Sequence, residues 1–332
     1  MHSTVRPKVL VCRAVFDQVI ERLALHFDLQ HNQADEVWDR AGLIARLQDC
    51  DGAFTTGSER IDAQVLATCP KLKICANMAV GYNNFDLQAM SAAGVLATNT
   101  PGVLTETTAD MGFALLMATA RRLSEAHAYV LSGQWKKFSY DLFLGGDIHG
   151  ATLGILGMGR IGQAIARRGA HGFGMRVIYH NRSKLDAQTE SACRATYVSK
   201  HDLYTQADHL ILVLPYSKEA HHIVGAAEIA LMKPSATLVN IGRGGLVDEN
   251  ALADALEAGR LAGAGLDVFE GEPQVNPRLL TLGNVTLSPH MASASRPTRL
   301  AMADLAADNL IAFFGGKGAL TPLNAQALQR AP

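Results

Sequence analysis

Eleven consecutive residues, Thr152-Leu153-Gly154-Ile155-Leu156-Gly157-Met158-Gly159-Arg160-Ile161-Gly162, restrict the fold of this chain more than any other feature. A short apolar run of the kind that forms a buried strand ends in G-x-G-x-x-G. It continues without a break into Gln163-Ala164-Ile165-Ala166-Arg167-Arg168, a helical pattern. Each glycine then has its own physical job. Gly157 permits the tight turn, Gly159 lets the backbone approach a pyrophosphate, and Gly162 lets helix and strand pack closely, with the helix N-terminus facing the phosphates. A second strand, Arg176 to His180, follows on the schedule of a βαβ unit. Residues Gly157, Gly159, Arg160, Ile161 and Gly162 are therefore expected to hold a dinucleotide.

The end of that second strand commonly carries an acidic residue that holds the ribose 2′-hydroxyl of NAD. Here it carries Asn181-Arg182-Ser183. A carboxylate would repel a 2′-phosphate, whereas a guanidinium pairs with it and Asn and Ser can donate hydrogen bonds. The expected cofactor is NADP, with NAD as the second choice.

With 332 residues the chain exceeds what one hydrophobic core usually fills, so two domains are expected. Upstream of the motif, Lys8 to Cys12, Gly52 to Thr56 and Leu72 to Ala76 read as buried strands. Helical stretches Asp17 to His26, Trp38 to Leu47 and Asp62 to Thr68 alternate with them. This rhythm predicts a first α/β domain over about the first hundred residues. The break Thr100-Pro101-Gly102 then leads into a long buried helix from Thr105 to Arg122. Charge excludes some partners: 30 Lys+Arg against 31 Asp+Glu leave no basic field for nucleic acid. The longest apolar run, Met111 to Ala120, is about half of a membrane span, and nothing near the N-terminus reads as a signal segment, so no membrane partner and a cytoplasmic location are expected. Cysteines 12, 50, 69, 75 and 193 form no C-x-x-C pair and read as reduced packing residues, with no metal expected.

Further strands follow the motif: His209 to Leu214 ending at Pro215, Thr237 to Ile241 ending at Gly242-Arg243-Gly244, Gly263 to Val268 ending near Glu272, and Val285 to Leu287 ending at Pro289-His290. Side chains at the carboxyl ends of parallel strands converge on one crevice. Arg243, Glu272 and His290 are thereby expected to meet there. Such a set suits keto-acid chemistry: a cation for the carboxylate, an imidazole for the proton, and a carboxylate to orient and charge the imidazole.

Taken together, these residues resemble the D-isomer-specific 2-hydroxyacid dehydrogenases, in the glyoxylate/hydroxypyruvate reductase and 2-ketogluconate reductase branch. The resemblance rests on Met78-Ala79-Val80-Gly81-Tyr82-Asn83-Asn84, Thr105-Glu106-Thr107-Thr108-Ala109-Asp110, Gly157 to Gly162, Asn240-Ile241-Gly242-Arg243-Gly244, Gly265-Leu266-Asp267-Val268-Phe269 and Pro289-His290. It implies an α/β fold of two doubly wound parallel-sheet domains, a Rossmann cofactor domain (101–292) inserted into a flavodoxin-like substrate domain (1–100 and 293–332). The implied activity is NADPH-dependent reduction of glyoxylate, hydroxypyruvate or 2-ketogluconate to D-2-hydroxy acids. Arg243 would bind the substrate carboxylate, His290 donate the proton and Glu272 pair with His290. Val80, Gly81 and Ser293 would touch substrate. Thr108 and Asp267 would touch the cofactor, Asp267 at the nicotinamide carboxamide, with Leu214, Pro215 and Ile241 lining its cleft. Closure about residues 99–102 and 288–293 would exclude water. After the histidine the branch usually has Ile-Gly-Ser-Ala-Thr, where this chain has Met291-Ala292-Ser293-Ala294-Ser295, one methyl more beside the pocket.

The resemblance also implies a homodimer formed through the cofactor domains. The aromatic segment Trp135 to Leu144 either anchors that dimer or reaches the partner's cleft. Two other readings stay open on sequence: a dinucleotide-sensing binding protein of the same fold, and a formate-dehydrogenase-like enzyme, against which Glu272 argues.

Overall fold

Strand runs of three to five residues joined by helical crossovers can bury their apolar faces as parallel sheets covered on both sides. In the computed structural model, which describes residues 6–325, they do so twice. The chain divides into two units, one running to Leu104 and resuming at Ser295, the other spanning Thr105–Ala294. The sequence reading placed these divisions at 100/101 and 292/293.

The first unit holds strands β1 (Lys8–Val11), β2 (Asp28–His31), β3 (Gly52–Thr55), β4 (Ile74–Asn77) and β5 (Leu96–Thr98), all parallel in the order β2-β1-β3-β4-β5. Helices α1 (Asp17–Ala24), α2 (Arg40–Leu47), α3 (Ala63–Thr68) and α4 (Leu87–Ala92) connect them. Asp39, Asp62 and Asp86 cap α2, α3 and α4 by accepting first-turn N–H groups, which is why those helices start where they do. The expected helix at Trp38 accordingly begins two residues later.

The second unit starts with α5 (Thr105–Ala120) and α6 (Leu123–Leu131). Its sheet is built from β6 (Thr152–Leu156), β7 (Arg176–His180), β8 (Ala195–Tyr197), β9 (His209–Leu212), β10 (Thr237–Asn240), β11 (Gly263–Leu266) and β12 (Val285–Leu287). Helices α7 (Arg160–Arg167), α8 (Ala187–Cys193), α9 (Lys200–Gln206), α10 (Ala226–Leu231) and α11 (Glu249–Glu257) complete it. The parallel order β8-β7-β6-β9-β10-β11-β12 reverses direction between β6 and β9, the doubly wound arrangement whose ligand crevice lies outside the strand ends at the reversal. Helix α5 packs on the sheet so closely that a Cβ on Gly112 would lie 2.8 Å from Ile241 Cδ1.

After the second unit the chain returns as α12 (Arg296–Phe314) to the first. Ala303, Ala306, Ala307 and Leu310 of α12 share a core with Val9, Val11, Phe54 and Ile74. Arg22 of α1 pairs with Asp304 and Asp308 on its flank. Beyond α12, Leu323 N donates to Ala97 O at 2.8 Å, so the returning chain is tied to β5 by backbone as well as by packing. No helix among the described residues is long and apolar enough to cross a membrane. All five cysteines are buried free thiols, and burial pushes that of Cys50 up to about 11.

Candidate active site

The dinucleotide motif adopts the geometry its glycines require. Gly157 has φ +98, and a Cβ there would lie 2.7 Å from Leu214 N, so the turn out of β6 admits no side chain. A Cβ on Gly162 would lie 2.7 Å from Gly157 O, whereas nothing stands within 4 Å of one on Gly159. The open side of the turn is therefore at Gly159, which as N-cap of α7 brings no side chain to its first-turn N–H groups. Arg160 is exposed and Ile161 half-buried at that helix start. This cradle of bare backbone N–H groups fits a pyrophosphate.

Around it, Leu214 is half-buried and Pro215 exposed after β9, and Ile241 is buried after β10. Thr108 is buried on α5. At the end of β7 the three expected contacts separate. Asn181 turns toward the glycine turn: its Oδ1 accepts from Met158 N at 2.6 Å. It thereby clamps the glycine turn. Arg182 and Ser183 are exposed, and no carboxylate makes an ion pair with Arg182 among the described residues.

Arg243, Glu272 and His290 are held by turns that interlock. Asn240 clips the first, its Oδ1 accepting from Gly242 N at 3.0 Å and its Nδ2 donating to Arg243 O at 2.8 Å. Arg243 Nη1 donates to Gly242 O at 2.7 Å. Burial lowers the pKa of this guanidinium from its ordinary value, opposed by the charge of Glu272. Gly244 allows the next contact: a Cβ there would lie 1.8 Å from the Phe269 carbonyl carbon, so the Arg243 turn meets the Glu272 turn backbone to backbone. In that second turn Phe269 N donates to Glu272 Oε1 at 2.9 Å.

Glu272 Oε2 then lies 2.7 Å from His290 Nδ1. Burial pushes the Glu272 carboxyl up, but the hydrogen bonds from His290 and Phe269 and the charges of His290 and Arg243 outweigh it, holding it below the ordinary carboxylate range. An ionised carboxylate only accepts, so Nδ1 carries the hydrogen and Nε2 is the nitrogen left to exchange protons. His290 sits at φ +48, a conformation costing about 1–3 kcal/mol for a side-chain-bearing residue. Its N–H donates to Asp267 O at 2.8 Å and Ser288 O at 3.1 Å, which fixes that backbone.

Asp267 has a distinct position. Its carboxylate accepts from Ser288 Oγ at 2.6 Å and from the N–H groups of Met291 and Ala292, both at 2.9 Å, and the residue is 0% exposed. So placed, it anchors the loop that bears His290 and the half-buried Ser293, a role beside the cofactor contact expected of it from sequence. Nothing in the sequence pattern separates these two roles, because both require an acidic residue at the end of β11.

In the first unit, Val80 and Gly81 follow β4 in a loop held by its carbonyls. Asn99 Nδ2 donates to Val80 O at 2.8 Å and Asn77 Nδ2 to Gly81 O at 3.0 Å. Neither the Val80 nor the Gly81 N–H donates to a protein acceptor among the described residues, so both remain available as donors.

The chain has relatives among known proteins. Residues 113–292 match the family model for the D-isomer specific 2-hydroxyacid dehydrogenase NAD binding domain. The chain is similar to a glyoxylate reductase of Thermococcus onnurineus, 46% identical over 327 residues and covering 97% of each chain. Among solved structures, a D-isomer specific 2-hydroxyacid dehydrogenase from Polaromonas is 34% identical with a TM-score of 0.89, covering 96% of this chain and 99% of the other. An NADPH-dependent glyoxylate/hydroxypyruvate reductase from Sinorhizobium meliloti is 38% identical with a TM-score of 0.85, covering 97% and 99%. The chain belongs to the D-isomer-specific 2-hydroxyacid dehydrogenases, a family of oxidoreductases, in its glyoxylate reductase branch.

Proposed function

We propose that this protein reduces small 2-keto acids, glyoxylate and hydroxypyruvate foremost and 2-ketogluconate as a further candidate, to D-2-hydroxy acids with NADPH in preference to NADH. The observation that carries the reading is the 2.7 Å contact between His290 and Glu272 on turns that interlock with the Arg243 turn beside a dinucleotide cradle. A reduced nicotinamide, when bound, supplies the hydride that adds to C2 of the substrate. Protonated His290 delivers the proton from Nε2 to the carbonyl oxygen as negative charge develops there, and Glu272 holds the ring and stabilises its charged form. Arg243 binds the substrate carboxylate through the guanidinium donors that its contact with Gly242 leaves over. Free N–H groups of Val80 and Gly81, and Ser293 on the anchored loop, are assigned to the substrate. Asp267 is a positioning residue for that loop. Arg182 and Ser183 are assigned to the 2′-phosphate, with Asn181 fixing the turn behind it.

The names of the two glyoxylate reductases support the substrate class, and that of the Sinorhizobium enzyme supports the cofactor. The test is loss of NADPH absorbance on adding glyoxylate or hydroxypyruvate to the purified protein, repeated with NADH. Tight NADPH binding without turnover on any of the three keto acids would instead favour a dinucleotide-sensing protein.

A further inference from the structure

We infer that His221, His222 and Glu270 form a surface site for a zinc-type divalent transition ion, a site independent of the catalytic reading above. The ligand atoms of the three side chains lie within 4.8 Å of one another. Glu270 Oε2 is 3.0 Å from His222 Nε2, and Glu270 Oε1 is 3.8 Å from His221 Nε2. Four-coordinate zinc with bonds of about 2.0–2.2 Å separates neighbouring ligand atoms by about 3.3–3.5 Å, and the two observed separations bracket that value. Two imidazoles with one carboxylate select zinc, nickel or copper over calcium or magnesium, which require oxygen ligands. A fourth position remains for water.

The set is more ordered than an ion pair requires. The His222–Glu270 contact by itself needs no second histidine, yet the His221 ring stacks on that of His222 with centroids 3.8 Å apart and turns its Nε2 to the same carboxylate. The outer nitrogen of His221 has a hydrogen-bond partner, as ligating histidines generally do, and that of His222 faces a carboxylate at ion-pair distance. His221 Nδ1 is 3.2 Å from the Tyr216 hydroxyl, and His222 Nδ1 is 3.9 Å from Asp248 Oδ2.

The backbones carrying the ligands are fixed. His222 sits at φ +51, with its N–H donating to Gly245 O at 2.8 Å, and the next residue, Ile223, is followed by a bridge between Val224 and Val247. Glu270 N donates to Glu249 Oε1 at 2.8 Å. The ion would thus clamp the segment after β9 to the turn after β11.

The experiment is calorimetric titration of zinc into the tag-free full-length protein, with Co(II) absorption as a second probe of four-coordination. The expected result is one ion per chain and a rise in melting temperature with zinc. His222→Asn and Glu270→Gln should each remove the saturable binding and the thermal shift. Tyr216→Phe, which removes the hydroxyl that meets His221 Nδ1, should weaken binding about 10-fold. His201→Asn, an exposed histidine elsewhere, should leave it unchanged. Absence of stoichiometric binding, or equal binding by wild type and Glu270→Gln, overturns the assignment. Should His222→Asn fail to fold, Glu270→Gln and Tyr216→Phe decide the question alone.

Discussion

At the scale of single residues, the chemistry rests on which nitrogen of His290 is free. Because Nδ1 is bound to Glu272 at 2.7 Å, replacing the ring by an amide removes the proton donor without disturbing the dinucleotide cradle. His290→Gln is expected to lower kcat by roughly 10²- to 10⁴-fold while leaving the NADPH dissociation constant nearly unchanged. Steady-state kinetics with a fluorescence binding titration measures both, and a near wild-type kcat would remove His290 from the proton transfer. Arg182 supplies the second expectation at this scale. It is exposed, and among the described residues no carboxylate lies within ion-pair distance of it, so Arg182→Ala should raise KM for NADPH much more than KM for NADH. Equal effects on the two cofactors would take it out of 2′-phosphate recognition. The ionisable trio was legible because each member follows a strand of a recognisable dinucleotide unit. The positions of Asn181 and Asp267 were not, because their partners are backbone N–H groups of Met158, Met291 and Ala292, and those meetings are set by tertiary folding alone.

Elements were legible where burial on both faces leaves a continuous apolar run, as in β3, β4 and β9. The edge strand β2, Asp28-Leu29-Gln30-His31, faces solvent and has no such run, and the three-residue β5 and β8 are too short for any period to emerge. One buried polar residue ties elements together in a way that predicts pH behaviour. His209 begins β9, and its Nε2 is 3.0 Å from the Asp147 carbonyl, while its Nδ1 is 2.8 Å from Thr237 Oγ1 at the start of β10. The carbonyl only accepts, so Nε2 donates, and a ring that burial keeps neutral leaves Nδ1 to accept from the threonine hydroxyl. Burial lowers its pKa, opposed by the Asp147 hydrogen bond and the charge of Asp208. An unfolded histidine takes up a proton near pH 6.5 that the folded ring resists. Its contribution to stability is thus complete above about pH 6.5 and is lost as pH falls toward the folded value. Between pH 7.5 and 5.5 the melting temperature of wild type should fall more steeply than that of His209→Gln. Parallel curves would show that His209 titrates alike in both states.

At the scale of the whole molecule, the second unit exposes apolar side chains that a monomer has no reason to leave in water. Leu131 is 74% exposed, Phe138 73% and Tyr140 92%, with Trp135 and Leu144 beside them in sequence. Phe138 and Tyr140 already pack edge to face, with centroids 5.2 Å apart, so the segment is pre-ordered rather than splayed. Exposed apolar patches of this kind mark association surfaces, and aromatic residues are enriched at them. The expected occupant is a second copy of the chain. Light scattering should give a dimer for wild type and a monomer for the double variant Phe138→Asp, Tyr140→Asp, since two buried carboxylates without partners oppose association. The same segment bears on substrate size. If its aromatics also close the partner's pocket, filling that pocket beyond its volume carries a strain cost, and kcat/KM with NADPH should be high for glyoxylate and hydroxypyruvate and low for phenylpyruvate. Monomerisation should then erase the discrimination along with the dimer. A dimer that prefers phenylpyruvate would assign these aromatics to the interface alone, whereas loss of selectivity in the monomeric variant, with Arg243, Glu272 and His290 untouched, would place size selection in the partner's contribution.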